Sequence, residues 1–151
     1  MRIPKQPSLL AALLLPALLT SCTSKDSTRS SAQTAAIPDT LCFQQVVGRD
    51  STTLTLVLND SLVTGFLSLR PYEKDQAQGS LSGTRSGETI TADWQRSGEG
   101  VTQTHALNLT LSGDTLRWRE GERVEQDGKW VLKTPSAGFE YVLPKTDCAR
   151  P

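Results

Sequence analysis

One histidine, one methionine and three cysteines are all that 151 residues contain of the softer metal-binding side chains. A single histidine excludes the multi-histidine zinc sites. The cysteines, at 22, 42 and 148, have no CxxC spacing, so zinc ribbons and thioredoxin-type redox pairs are excluded as well. No G-x-S-x-G stretch offers a nucleophile elbow, and the Walker, dinucleotide and kinase signatures are missing. An excess of one charge is missing too, because 16 basic side chains balance 16 acidic ones. Nucleic acid requires a concentrated basic face, and this balance argues against it. Long apolar runs are absent. The longest, Leu9 to Leu19, is about 11 residues, and a membrane-spanning helix needs roughly 20.

What that run does have is a basic head, Arg2 and Lys5, and a small-residue end, the order of a secretory leader. Leu19, Thr20, Ser21 and Cys22 close it and resemble the bacterial lipobox. The resemblance implies cleavage just before Cys22, a diacylglycerol on its thiol and a further acyl chain on the freed amine. The leader is then 1–21, and Cys22 is the lipidation site. Two or more acyl chains hold a protein on a membrane stably where one does not. The expected location is the cell envelope, at the outer membrane.

Residues 22–39, "CTSKDSTRSSAQTAAIPD", are polar and without apolar periodicity. Such composition cannot bury enough surface to offset the entropy of ordering, which predicts a flexible tether. About 17 residues of it reach on the order of 20–25 Å. Lys25-Asp26 loosely resembles the charged surface-export signals of some Bacteroidota lipoproteins. Loss of Arg2 and Lys5 with the leader takes the 16 basic side chains to 14 against 16 acidic ones, a net charge of −2.

Residues 40–151 suffice for one core but hardly for two domains. Cys42 and Cys148 remain at the two ends of this part, an even pair in an oxidising compartment. A disulfide between them closes a loop of about 107 residues, worth up to ~4.7 kcal/mol by chain entropy. The alternative, a metal or redox pair of another kind, lacks CxxC spacing and nearby histidines.

From Thr40 onward the apolar residues alternate, with turn residues between the runs. "STTLTLVL" places Leu54, Leu56 and Leu58 on one face, and "NDS" then turns the chain. "LVTGFLSL" carries Val63, Gly65, Leu67 and Leu69 in one phase, with Gly65 where a strand can bulge or bend. "GSLSGT" and "TITADWQ" flank the "RSGE" turn. "VTQTHALNLTL" is the longest run, and "TLRWRE", "KWVLK" and "FEYVL" complete about eight short strands. No stretch sustains a 3.6-residue apolar stripe.

Short turns favour antiparallel pairing of sequence neighbours. A flat eight-stranded sheet would expose an apolar face and two edges, and closure removes both. The expected fold is all-β, a single antiparallel meander closed into a small barrel of lipocalin-like architecture. A β-sandwich is the alternative. Trp94, Trp118, Trp130, Phe139 and Tyr141 all fall on apolar phases and are expected to fill the barrel.

Candidate site residues sit between strands. "RPYEKDQAQG" is the longest polar connection and holds Tyr72, Glu73 and Asp75; Glu99 lies between glycines in a later one. Alternate loops of a meander fall at the same end, so these four residues are expected on one rim. Three carboxylates there are solvated loop charge or, alternatively, oxygen ligands for a divalent cation, though without EF-hand spacing. His105 is in phase with Leu107, Leu109 and Leu111 and is expected at the barrel mouth, as a rim or core imidazole or as a ligand contact.

The order lipobox, tether, "CF", "GRDSTTLTL", "VTGFLS", "YEKD", "TADW", "GEG" and "TDC" resembles uncharacterised small lipoproteins of Bacteroidota. The resemblance runs from Cys42 to Cys148. It implies an envelope location and a β-barrel and carries no activity and no cofactor. More distant analogies are to the stress-sensing lipoprotein NlpE and the lysozyme-inhibitor lipoproteins. The leading expectation is a non-catalytic envelope lipoprotein that binds through its rim loops. A carrier of a small apolar ligand near His105, Trp94 and Trp118, and an envelope hydrolase using the rim carboxylates, are the alternatives. Partners are the membrane through the anchor and an envelope protein or small apolar ligand, with no nucleic acid.

Overall fold

The computed structural model describes residues 38–148; the leader, Cys22 and the tether up to residue 37 lie outside the described residues. Ten strands follow one another: β1 (Asp39–Val47), β2 (Asp50–Asn59), β3 (Leu62–Arg70), β4 (Ala77–Ser86), β5 (Thr89–Gly98), β6 (Val101–Ser112), β7 (Thr115–Glu120), β8 (Arg123–Gln126), β9 (Lys129–Leu132) and β10 (Phe139–Thr146). Eight of them close a barrel. β1 to β7 pair antiparallel in sequence order, β10 adds to β7, and β10 returns to β1. The β5–β6 ladder is unbroken from Thr89↔Thr110 to Gly98↔Val101, so one sheet wraps round and the sandwich alternative is excluded.

Alternation creates the inside. Leu54, Leu56 and Leu58 of β2, Val63 and Leu67 of β3, Ile90, Ala92 and Trp94 of β5, and Leu107, Leu109 and Leu111 of β6 are all buried in one cluster. Their neighbours in sequence are exposed or partly so, except Ser68, which is buried. Leu56, Leu67, Leu109, Leu116 and Leu143 have no exposed surface, and burying each such side chain stabilises the fold by about 1.5–3 kcal/mol.

Adjacent strands approach closely where inward positions lack a side chain. A Cβ at Gly65, Gly79 or Gly83 would run into the backbone of the adjacent strand, at the carbonyls of Thr55, Gln95 and Thr91 respectively. Gly65 keeps its pairing with both Leu56 and Leu81, so the strand bends there without a bulge.

Strand membership departs from the sequence expectation in three places. Asp39–Val47 is a full barrel strand, with Leu41 and Phe43 in the core. "KWVLK" is not in the wall. It becomes β9, which with the unforeseen β8 forms a hairpin outside the barrel, joined to β6 by a parallel pairing at His105↔Trp130. The aromatic residues divide accordingly. Trp94 and Trp118 fill the interior and Tyr141 packs against it, but Trp130 is only partly buried outside the wall and Phe139 is 60% exposed. Trp130 fails because an alternating phase defines a face without saying which sheet, inner or outer, the face belongs to. Phe139 fails because it begins its strand at the open end.

The seam between β1 and β10 is short, with register partners only at Cys42↔Thr146 and Phe43↔Lys145. Beside it Cys42 and Cys148 are joined as a disulfide, their Cα atoms 5.2 Å apart. The covalent link therefore reinforces the least hydrogen-bonded closure of the wall.

Candidate functional site

Antiparallel order assigns each loop to an end. The turns after β1, β3 and β5 lie at one end, here called the mouth, together with the start of β10. The start of β1 and Cys148 lie at the other. Tyr72, Glu73 and Asp75 in the β3–β4 loop and Glu99 in the β5–β6 turn thus share the mouth, and β1 begins at the opposite end.

The rim is locally constrained. Glu73 and Glu99 adopt left-handed backbone, with φ of 54° and 51°. Bulky L-residues rarely do so, because Cβ crowds the following carbonyl. Tyr72 is fixed by a hydrogen bond from its N–H to Asp50 Oδ1 at 2.7 Å and by the Arg49 guanidinium 3.4 Å over its ring. Its hydroxyl titrates above the usual range, chiefly through a hydrogen bond with Glu73 and further through desolvation, with Arg49 opposing. Glu73, Asp75 and Glu99 share an end without converging: among the described residues no group of three acidic, cysteine or histidine side chains could hold a metal ion.

Inside the rim is a cavity of about 340 Å³, lined by Thr52, Leu69, Ala77, Arg96, Phe139 and Tyr141, with Asp50 and Asp75 at its lip. Its volume is at the small end of what organic ligands occupy. Arg96 is in phase with Ile90, Ala92 and Trp94 and is half-buried, its guanidinium 5.9 Å from the centre of the Trp94 ring. Among the described residues it has no carboxylate within ion-pair distance. Tyr141 stacks on Trp118 at 4.6 Å and meets Phe139 edge-on at 5.0 Å, so an aromatic ladder climbs from the core to the lip. The Tyr141 hydroxyl is pushed up in pKa by burial first, then by Glu120 and Asp50, and stays a donor at neutral pH.

His105 lies deeper. It is buried, edge-on to Trp94 with centroids 5.8 Å apart, and neither ring nitrogen has a hydrogen-bond partner among the described residues. Burial, with Arg123 and Arg96 adding repulsion, holds its pKa down at about 4, so the imidazole is neutral. Of the sequence expectations, a ligand contact at the mouth or a rim or core imidazole, its burial fits the core imidazole.

A second groove, of about 390 Å³, runs on the outer wall between β6 and β9 past Asn108, Arg117, Arg119, Val131 and Glu140. It is slightly larger, but each of its guanidiniums already has an ionic partner, Arg117 and Arg119 both reaching Glu140 at 3.9 and 3.5 Å. The mouth, where Arg96 faces a cavity without an ionic partner, is the stronger candidate. Arg96 was not singled out from the sequence, and Tyr141 was expected only as barrel filling. The available signal was a charged residue on the apolar phase of "TITADWQR".

No family model, no curated protein and no solved structure matches this chain.

Proposed function

We propose that this is a non-catalytic lipoprotein of the cell envelope, anchored at the outer membrane through Cys22, that binds a partner with the mouth-end rim. The observation that carries the reading is where apolar surface is left uncovered. Val47, Tyr72, Val101 and Phe139 are 40–61% exposed and all belong to mouth-end strand termini or loops. Scattered exposed apolar residues are ordinary, whereas a gathering of them marks an interaction surface. The rim is also at the end opposite the start of β1, so the chain leading from Cys22 joins away from it and leaves it uncovered by that junction.

Photo-crosslinking amino acids placed at Tyr72 and Phe139, and at Leu62 on the opposite end, test this in intact cells. The expected result is a discrete adduct from the two rim positions and none from Leu62. Equal adducts from both ends, or none from the rim, would reject it.

A further inference from the structure

We infer that the mouth cavity is a binding site for a small monocarboxylic acid with a flat or apolar body, its carboxylate held by Arg96. The inference rests on the reading of the mouth as the binding end and specifies what enters it. Arg96 carries the first half of the argument. Its half-buried guanidinium lies near the Trp94 ring and faces the open cavity, with no carboxylate within ion-pair distance among the described residues, so its N–H donors are available to a guest. A planar fork of N–H donors matches a carboxylate in two parallel hydrogen bonds.

The rest of the lining selects the body. Leu69, Ala77, Phe139 and the ring of Tyr141 form apolar walls, against which a flat or aliphatic group buries its surface. Aromatic faces prefer offset or edge-on partners, and the Phe139–Tyr141 pair leaves Phe139 free at the lip to provide one. Arg70, Asp50 and Asp75 also line the cavity, and Asp50 Oδ1 is already engaged by the Tyr72 N–H. A carboxylate on an apolar body uses both Arg96 and the apolar walls, whereas inorganic phosphate gains nothing from the walls. The volume of about 340 Å³ limits the guest to a compact molecule.

Binding is measured with benzoate, indole-3-acetate and octanoate, each beside its neutral amide, and with inorganic phosphate, by calorimetry on the folded, disulfide-bonded domain. At least one acid is expected to bind, with its amide about tenfold to a hundredfold weaker and phosphate silent. Arg96→Gln is expected to erase the difference between acid and amide, and Arg96→Lys to restore part of it. Because Arg96 is one of the charges that hold His105 neutral, a bound carboxylate also raises the His105 pKa in NMR titration, a readout that mere apolar binding does not give. No acid binding more tightly than about 1 mM, or acid and amide binding equally, overturns the assignment. Should that happen while Tyr72 and Phe139 still crosslink a partner, the carboxylate site falls and the binding rim stands; loss of both removes the reading itself.

Discussion

His105 on β6 is the cross-strand partner of Trp94 on β5, and the imidazole meets the indole edge-on with an interplanar angle of 83°. Neither His105 nitrogen finds a hydrogen bond among the described residues, so the pair is held by packing alone. An imidazole in such a place is tolerated while neutral and resists taking a proton. In the unfolded chain it ionises near pH 6.5, but in the fold only near pH 4. Above pH 6.5 both states are neutral and the residue makes stability neither rise nor fall. Between these values the unfolded chain binds a proton that the folded chain refuses, so stability falls as the pH falls. The loss accumulates to about 3 kcal/mol at pH 4. His105→Phe should remove this slope, and urea denaturation of both proteins at pH 7, 5.5 and 4 measures it. A constant difference between the two across that range would contradict the assignment.

Arg123 ties the external hairpin to the barrel. Its guanidinium is 7% exposed and donates to Glu120 Oε2 at 2.9 and 3.1 Å, to the Ala106 carbonyl at 3.1 Å and to the Trp130 carbonyl at 2.8 Å. One side chain thus joins β6, β7 and β9. Arg123→Met leaves the Glu120 charge without its counter-ion and should cost about 3–5 kcal/mol. Arg123→Met with Glu120→Gln should recover part of that loss, since an uncompensated charge is gone. Chemical denaturation of the single and double variants reads the difference.

The disulfide should matter in proportion to the weakness of the seam it supports. Cys42→Ser with Cys148→Ser is expected to lower stability by about 2–5 kcal/mol. Amide hydrogen exchange should accelerate first at Cys42–Phe43 and Thr146, the sparse β1–β10 contacts, while the long β5–β6 ladder exchanges last. Uniform acceleration across the barrel would show that the seam is not the weak point.

Relief of rim strain should be separable from function. Glu99 is left-handed at φ 51° and is followed by Gly100 at φ 78°, a pair of conformations that Asn-Gly adopts with less strain. Glu99→Asn is expected to stabilise the domain by up to about 1 kcal/mol, raising Tm by several degrees. If the rim binds through charge, Glu73→Lys with Glu99→Lys should weaken crosslinking from Tyr72 while leaving Tm nearly unchanged.

The anchor is tested apart from the fold. Cys22→Ala should move the protein from the membrane fraction to the soluble one and abolish incorporation of labelled palmitate. Retention on the membrane would reject Cys22 as the lipidation site.

The legible part of the fold is the part that repeats. Leu54, Leu56 and Leu58, or Ile90, Ala92 and Trp94, announce an inner face by spacing alone, because a pleated strand alternates its side chains whatever surrounds it. Tyr72, Glu73, Asp75 and Glu99 were placed at one end by counting turns. The cavity was not legible in the same way. Arg96 and Glu120 interrupt apolar phases, yet only the closed wall brings Arg96 beside Tyr141 and Glu120 beside Arg123. His105 belonged visibly to an apolar phase, but its depth depends on β9 covering β6 at that level.

By itself the sequence determined that strands form, which side of each is greasy, and that Cys42 and Cys148 flank them, since these follow from local period and composition. Tertiary structure alone decided that β10 skips the β8–β9 hairpin to reach β7, that Trp130 remains outside, and that Arg96 looks into a cavity with no ionic partner among the described residues. The physical reason is that hydrogen-bonded pairing between distant strands and the burial it imposes are collective quantities. They depend on how the whole sheet curls to close, and no short window of residues encodes that.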